Sequence, residues 1–274
     1  MRVADLPFVL IAALAAALVL IGFLRARRRK AHVGAGKRLD VTFLVVELPE
    51  FSTLVETLEP DAFAKVYDPY LELAEQTVGE HGGYLCEPEG GRLTAVFGAA
   101  QRLVNPAERA LACAIALRDS ISAQVLAGIH SGPALVGTFG SGERARFGAL
   151  GRARELTAEI AAANRIFDTQ IALSRTAVER IGDPRRFRPL GRFALDGETQ
   201  GLEISELLSA ERAASRYISA YRTGYEALEL GDPNADAMFK WLADENPEDR
   251  CVAYHLGRLR AGIRTPTVEP LPTT

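Results

Sequence analysis

The chain has 274 residues, 48% of them hydrophobic and 24% charged, with a formal net charge of -3, values that exclude a fibrous or wholly disordered protein. Residues 25–38 hold seven basic side chains and no acid, and Arg2 and Asp5 cancel, so residues 39–274 sum to -10. A body of that sign repels phosphate backbones and speaks against a nucleic-acid partner. Three scattered cysteines, Cys86, Cys113 and Cys251, have neither disulfide-framework nor zinc spacing and read as reduced structural residues.

In chain order, residues 6–24 form 19 uncharged, mostly apolar positions, about 28 Å of helix and enough to cross a bilayer. Arg25, Arg27, Arg28, Arg29 and Lys30 follow directly. Charge on that flank is a stop-transfer signal rather than a cleavable leader, and it places residues 25–274 on the cytoplasmic side of a bacterial inner membrane, with the N-terminus outside. Residues 25–38 then read as a basic juxtamembrane linker in contact with anionic lipid.

Residues 39–48 form a continuous apolar, β-branched run, the pattern of a strand buried on both faces. A helix over 51–80, interrupted at Pro60, ends at Gly82 and Gly83. Strands over 84–86 and 93–97 make a hairpin, and Asn105 with Pro106 opens a further helix. The pattern continues with strands at 124–130 and 134–139 around Ser131, Gly132 and Pro133, a helix over 152–166, a strand over 169–173 and a short helix over 174–181. Strands over 187–195 and 201–207 complete one α+β domain spanning 39–208. Residues 209–262 form a small helical, tetratricopeptide-like appendage that needs a surface to bury its face. Residues 263–274, rich in proline, are expected to be disordered. His130 reads as a buried scaffold histidine, and His81 as a helix C-terminal residue favourable with the dipole.

Four stretches, 41–54, 80–98, 128–160 and 189–208, hold the phrases HGG, AVFG, GIHSGP and VGTFGS in register. Together they resemble the class III adenylate/guanylate cyclase homology domain, with a ferredoxin-like α+β core. Family enzymes cyclise a nucleoside triphosphate with two metal ions held by two aspartates. By this resemblance the first aspartate falls on Glu47, still a candidate Mg2+ ligand, and the second on Gly91, which has no side chain to offer. The base-reading lysine falls on Glu87 and its partner on Gly148. The ribose-positioning asparagine and the arginine that stabilises the transition state fall on Glu155 and Glu159, and a late phosphate-binding lysine on Asp196. Glu50 stands where the phosphate-cradling loop usually has glycine.

The resemblance therefore implies a degenerate domain whose cleft has turned acidic through Glu47, Glu50, Glu87, Glu155, Glu159 and Asp196, with no catalytic residues and no cofactor. Because the family's active sites form between two such domains, it also implies dimerisation. The expected function is a membrane-anchored, dimerising interaction or regulatory subunit, homodimeric or heterodimeric. The alternative is a cyclase subunit, using Mg2+, that is active only beside a competent partner.

Overall fold

The computed structural model describes residues 36–86, 88–121, 123–141, 145–194 and 201–268. The expected anchor, 6–24, and the basic residues 25–30 lie outside these, as do Glu87 and Asp196. Among the described residues no helix is long and apolar enough to cross a membrane.

One mixed sheet organises the chain. Its strands are β1 (Lys37–Glu47), β2 (Gly83–Leu85), β3 (Arg92–Phe97), β4 (Leu126–Phe139), β5 (Arg146–Leu150), β6 (Ile171–Ser174), β7 (Phe187–Phe193), β8 (Leu202–Leu207) and β9 (Thr267–Val268). They lie in the order β2-β3-β1-β4-β6-β8-β7-β9, with β5 paired to β4. The central place of β1, between antiparallel β3 and β4, explains its unbroken apolar run: Val41, Phe43, Leu44, Val45 and Val46 are all buried.

The helices are α1 (Phe51–Thr57), α2 (Pro60–Glu80), α3 (Pro106–Ser120), α4 (Arg152–Phe167), α5 (Arg175–Ile181), α6 (Ala210–Ala213), α7 (Arg216–Glu229), α8 (Ala235–Glu245) and α9 (Arg250–Arg260). The break at Pro60 separates α1 from α2: proline is favoured in the first turn of a helix, where its missing N–H has no partner to lose, and α2 carries a second proline, Pro69, within its length. The Asn105 side chain caps α3 through the Glu108 N–H, and Ser174 caps α5 through the Ala177 N–H. Helices α2, α3 and α5 cover one sheet face around Leu44, Val46, Phe97 and Ile129. On the other face α4 comes so close to β4 that a Cβ on Gly128 would lie 2.5 Å from Ala161 N. Buried Asn164 joins the two, donating to the Ala127 carbonyl at 3.0 Å and accepting from Thr169 at 2.7 Å.

Two expectations for this region need correction. The strands expected on either side of residues 131–133 are one continuous strand, β4. Pro133 opposes Asp40 of β1, while on the other edge β6 pairs only with 127–129 and β5 only with 135–139. Proline therefore sits where that edge has no ladder partner, and its missing N–H costs nothing. Strand β5, short and interrupted by Gly148, carries too weak an alternation to be seen in the sequence.

Helices α7–α9 pack on the sheet they follow. Tyr221, Tyr225, Phe239, Cys251 and Leu256 share one buried cluster with Ile160, Phe167, Leu190, Phe193 and Ile204. The Tyr221 hydroxyl donates to the Pro189 carbonyl at 2.7 Å, and His255 Nε2 donates to the Leu190 carbonyl at 2.8 Å. Beyond α9, Thr267 and Val268 of the tail expected to be disordered form β9, parallel to β7 at Arg192 and Phe193, while residues 269–274 lie outside the described residues.

Burial pushes the pKa of both His130 and His255 down to about 4. The unfolded chain takes up protons near pH 6.5 that the folded chain refuses, so stability is full above about pH 6.5 and falls as pH drops toward 4. Each ring is expected to remove up to about 1.4 kcal/mol per pH unit in that window. Urea midpoints between pH 7 and 5 measure the slope; His255→Phe should roughly halve the histidine part, and an unchanged slope would rule His255 out as a contributor.

Candidate functional site

The expected site lies where β1 ends, beside the β2–β3 hairpin and the first turns of α4. Glu47 is the last residue of β1 and 5% exposed. A carboxylate at such depth requires partners, and two arginines supply them. Arg92, the first residue of β3, reaches Glu47 Oε1 through Nε at 2.8 Å and Nη2 at 2.7 Å. Arg165, near the end of α4, reaches Oε2 through Nη1 at 2.9 Å. Both carboxylate oxygens are thus held in charge-assisted bonds, with the outer parts of the two guanidinium groups facing solvent.

Gly91 precedes Arg92 and is half-buried beneath Phe51, the first residue of α1. A Cβ placed on Gly91 would lie 2.6 Å from Phe51 Cγ, so the ring occupies the space that a side chain at this position would need. Phe51 is fixed by an aromatic group from the next helix, with ring centroids 5.8 Å from Phe63 and 5.4 Å from Tyr67. The Tyr67 hydroxyl donates to the Gly90 carbonyl at 2.7 Å, fastening the hairpin to α2. Helix α1 buries no residue fully, so these ring contacts are what seat it.

On α4, Glu155 and Glu159 lie one turn apart and are both solvent-exposed. Arg152 spans them, with Nη1 at 3.2 Å from Glu155 and 3.4 Å from Glu159. Arg154 pairs with Glu89 of the hairpin tip. Gly148 lies in β5 opposite Gly137, with open space beside it. Glu50 is exposed at the start of α1 and makes no side-chain capping bond.

The expectation of an acidic cleft therefore needs revision. Of its described carboxylates, Glu47, Glu155 and Glu159 each carry an arginine partner, and only Glu50 stands at the rim. The sequence reading passed over Arg92 and Arg165, the two groups that most change the chemistry. Arg92 could have been noticed as the neighbour of Gly91; nothing local marks Arg165. The residues present do not fit a two-magnesium clamp, since Glu47 has no uncommitted oxygen and Gly91 no donor. Among the described residues no group of three or more histidine, cysteine, aspartate or glutamate side chains is placed to hold a metal ion.

The structure resembles solved cyclases. It superposes on the adenylyl cyclase CyaB of P. aeruginosa with a TM-score of 0.57 at 22% identity, covering 66% of this chain and 99% of that one. The guanylyl cyclase Cya2 gives 0.55 at 27% identity, covering 64% and 94%. In sequence the chain is 27% identical over 199 residues to adenylate cyclase 1 of Rhizobium meliloti, a match covering 67% of this chain and 30% of that protein. The chain thus spans less than a third of the length of that relative. No family model matches. The chain carries an α+β domain of the adenylate/guanylate cyclase fold.

Proposed function

We propose that this domain has given up triphosphate chemistry and acts as a dimerising interaction or regulatory subunit, held at the cytoplasmic face of a bacterial inner membrane by residues 6–24. The observation that carries the reading is the closure of the metal site: Glu47 is locked between Arg92 and Arg165, and Phe51 lies across Gly91. Binding a divalent ion at Glu47 would require both arginines to leave a carboxylate that is otherwise buried, at a cost of several kcal/mol that one ligand does not return. The uncharged run at 6–24 and the five cations at 25–30 support the membrane placement.

The test is cyclic-nucleotide formation from ATP and GTP by the purified chain with Mg2+ or Mn2+, alongside nucleotide binding by calorimetry. Neither turnover nor micromolar affinity is expected; either one in the chain alone would overturn the reading. A second reading, a cyclase subunit completed by a competent partner, is favoured by the retained carboxylate of Glu47 and by the likeness to adenylate cyclase 1 of Rhizobium meliloti. It requires that adding such a partner restore turnover and that Glu47→Gln remove it again.

A further inference from the structure

Strand β7 lies last but one in the sheet, and β9 pairs with it only at Arg192 and Phe193, so no strand among the described residues covers the outer side of 187–191. An edge of that kind is a template on which another chain can add a strand. Here its acceptors are taken by side chains of the helical layer. Arg222 of α7 donates to the Phe187 carbonyl at 3.0 Å, Tyr221 to that of Pro189 at 2.7 Å, and His255 of α9 to that of Leu190 at 2.8 Å. Its donors are withdrawn as well: the Phe187 N–H bonds the Pro184 carbonyl, Pro189 has no N–H, and the Arg192 N–H bonds the Pro266 carbonyl at 2.9 Å.

The strand carries further obstacles to pairing. Its register with β8 shifts between Pro189 and Gly191, and Arg188 places a cation inside the sheet, 2% exposed. Proline, bulge, inward charge and a covering element are separate ways of closing an edge, and all four meet on β7. Packing alone does not call for the three donors, since phenylalanine would fill the space of Tyr221 or His255 about as well. His255 even keeps its bond to Leu190 while its other ring nitrogen, Nδ1, is buried with no hydrogen-bond partner among the described residues.

We propose that the helical layer α7–α9 is a guard on this edge: it supplies side-chain donors where a strand would supply amides, and keeps β7 from pairing with β7 of a second copy. Self-association of the chain is thereby directed to other faces. The guard is needed whether or not the cleft binds a nucleotide, because the edge belongs to the sheet and not to the site.

The test is made in the full chain. Tyr221→Phe, Arg222→Met and His255→Phe together keep the apolar bulk of the layer and withdraw its three donors, while Leu256→Ala loosens the same layer and leaves the donors in place. Sedimentation equilibrium measures self-association, and hydrogen exchange locates it. The triple variant is expected to associate at least about tenfold more tightly than the parent, with the amides of residues 187–193 gaining protection in the associated form. Adding Arg192→Pro should reverse the association, since it removes an outward N–H that an added strand must use. Should the triple variant fail to fold, Tyr221→Phe alone, which withdraws only a hydroxyl, is expected to move association in the same direction by a smaller factor. Association equal to the parent's overturns the guard. So does equal association by Leu256→Ala at a matched thermal midpoint, because the layer would then act through stability alone. Added protection that falls outside 187–193 overturns it too.

Discussion

Replacing Arg188 with methionine is expected to destabilise the protein by about 3–5 kcal/mol, the largest loss from any single charge among the described residues. Arg188 stands on β7 and is 2% exposed. Its guanidinium pairs with Glu206 of β8 and with Asp249 at the start of α9, and it lies 4.8 Å from the centre of the Tyr221 ring. Asp249 also accepts from Tyr217 at 3.1 Å and caps α9 through the N–H groups of Cys251 and Val252. Without the arginine two buried carboxylates lose their shared partner, and Glu206 keeps only the more distant Arg212, at 3.9 Å, as an ion-pair partner among the described residues. Burial already pushes the Glu206 pKa above its ordinary value despite Arg188, so that group would take up a proton first. Urea unfolding monitored by circular dichroism measures the loss. Adding Glu206→Gln and Asp249→Asn should recover more than half of it, because amides tolerate burial that charges do not. A loss below about 1 kcal/mol for the single variant would mean that the network is hydrated rather than buried.

Restoring the missing aspartate, Gly91→Asp, is expected to yield neither metal binding nor nucleotide binding and to cost about 1–3 kcal/mol. The reason is steric before it is electrostatic: the new Cβ alone would press into the Phe51 ring, which Phe63 and Tyr67 hold from behind. The carboxylate would then find Glu47 already neutralised by Arg92 and Arg165. Gly91→Asp with Phe51→Ala should relieve the overpacking and regain part of the stability, still without Mn2+ affinity; Mn2+ binding should emerge only when Arg92 and Arg165 are also replaced by alanine. Isothermal titration with Mn2+ and thermal melting across the series separate the two effects. Micromolar Mn2+ binding by Gly91→Asp alone, at unchanged stability, would remove Phe51 as a barrier.

The sequence was informative wherever a single segment held the whole signal. The buried strand β1 is a run of β-branched and aromatic residues, the α1–α2 break is a proline, and α3 begins at an Asn-Pro pair, so each is readable from its own few residues. In the helical layer, the buried residues Tyr221, Tyr225 and Leu228 recur at helical spacing within one segment. Hidden features depend on two segments meeting. Pro133 looked like a break because nothing in its own neighbourhood reveals that β5 and β6 leave a gap beside it. Glu47 looked like an uncommitted metal ligand because Arg165, far along the chain, is brought to it only by the packing of α4 on the sheet. The substitution of Gly91 was legible, but the ring that makes it irreversible by one mutation was not.

The double duty of Asp249 has a consequence for how the chain folds. The same carboxylate opens α9 and closes the charge balance of an arginine inside the sheet. The last helix therefore acquires its cap only when β7 is in place, and β7 buries its arginine without penalty only when the last helix is present. Sheet and helical layer are coupled into one cooperative transition, so melting is expected in a single step by every probe. A chain ending near residue 208 would bare Leu190, Phe193 and Ile204 and strand half of an ion network. Exchange of this helical layer between related proteins would succeed only if Arg188 and Asp249 travelled together.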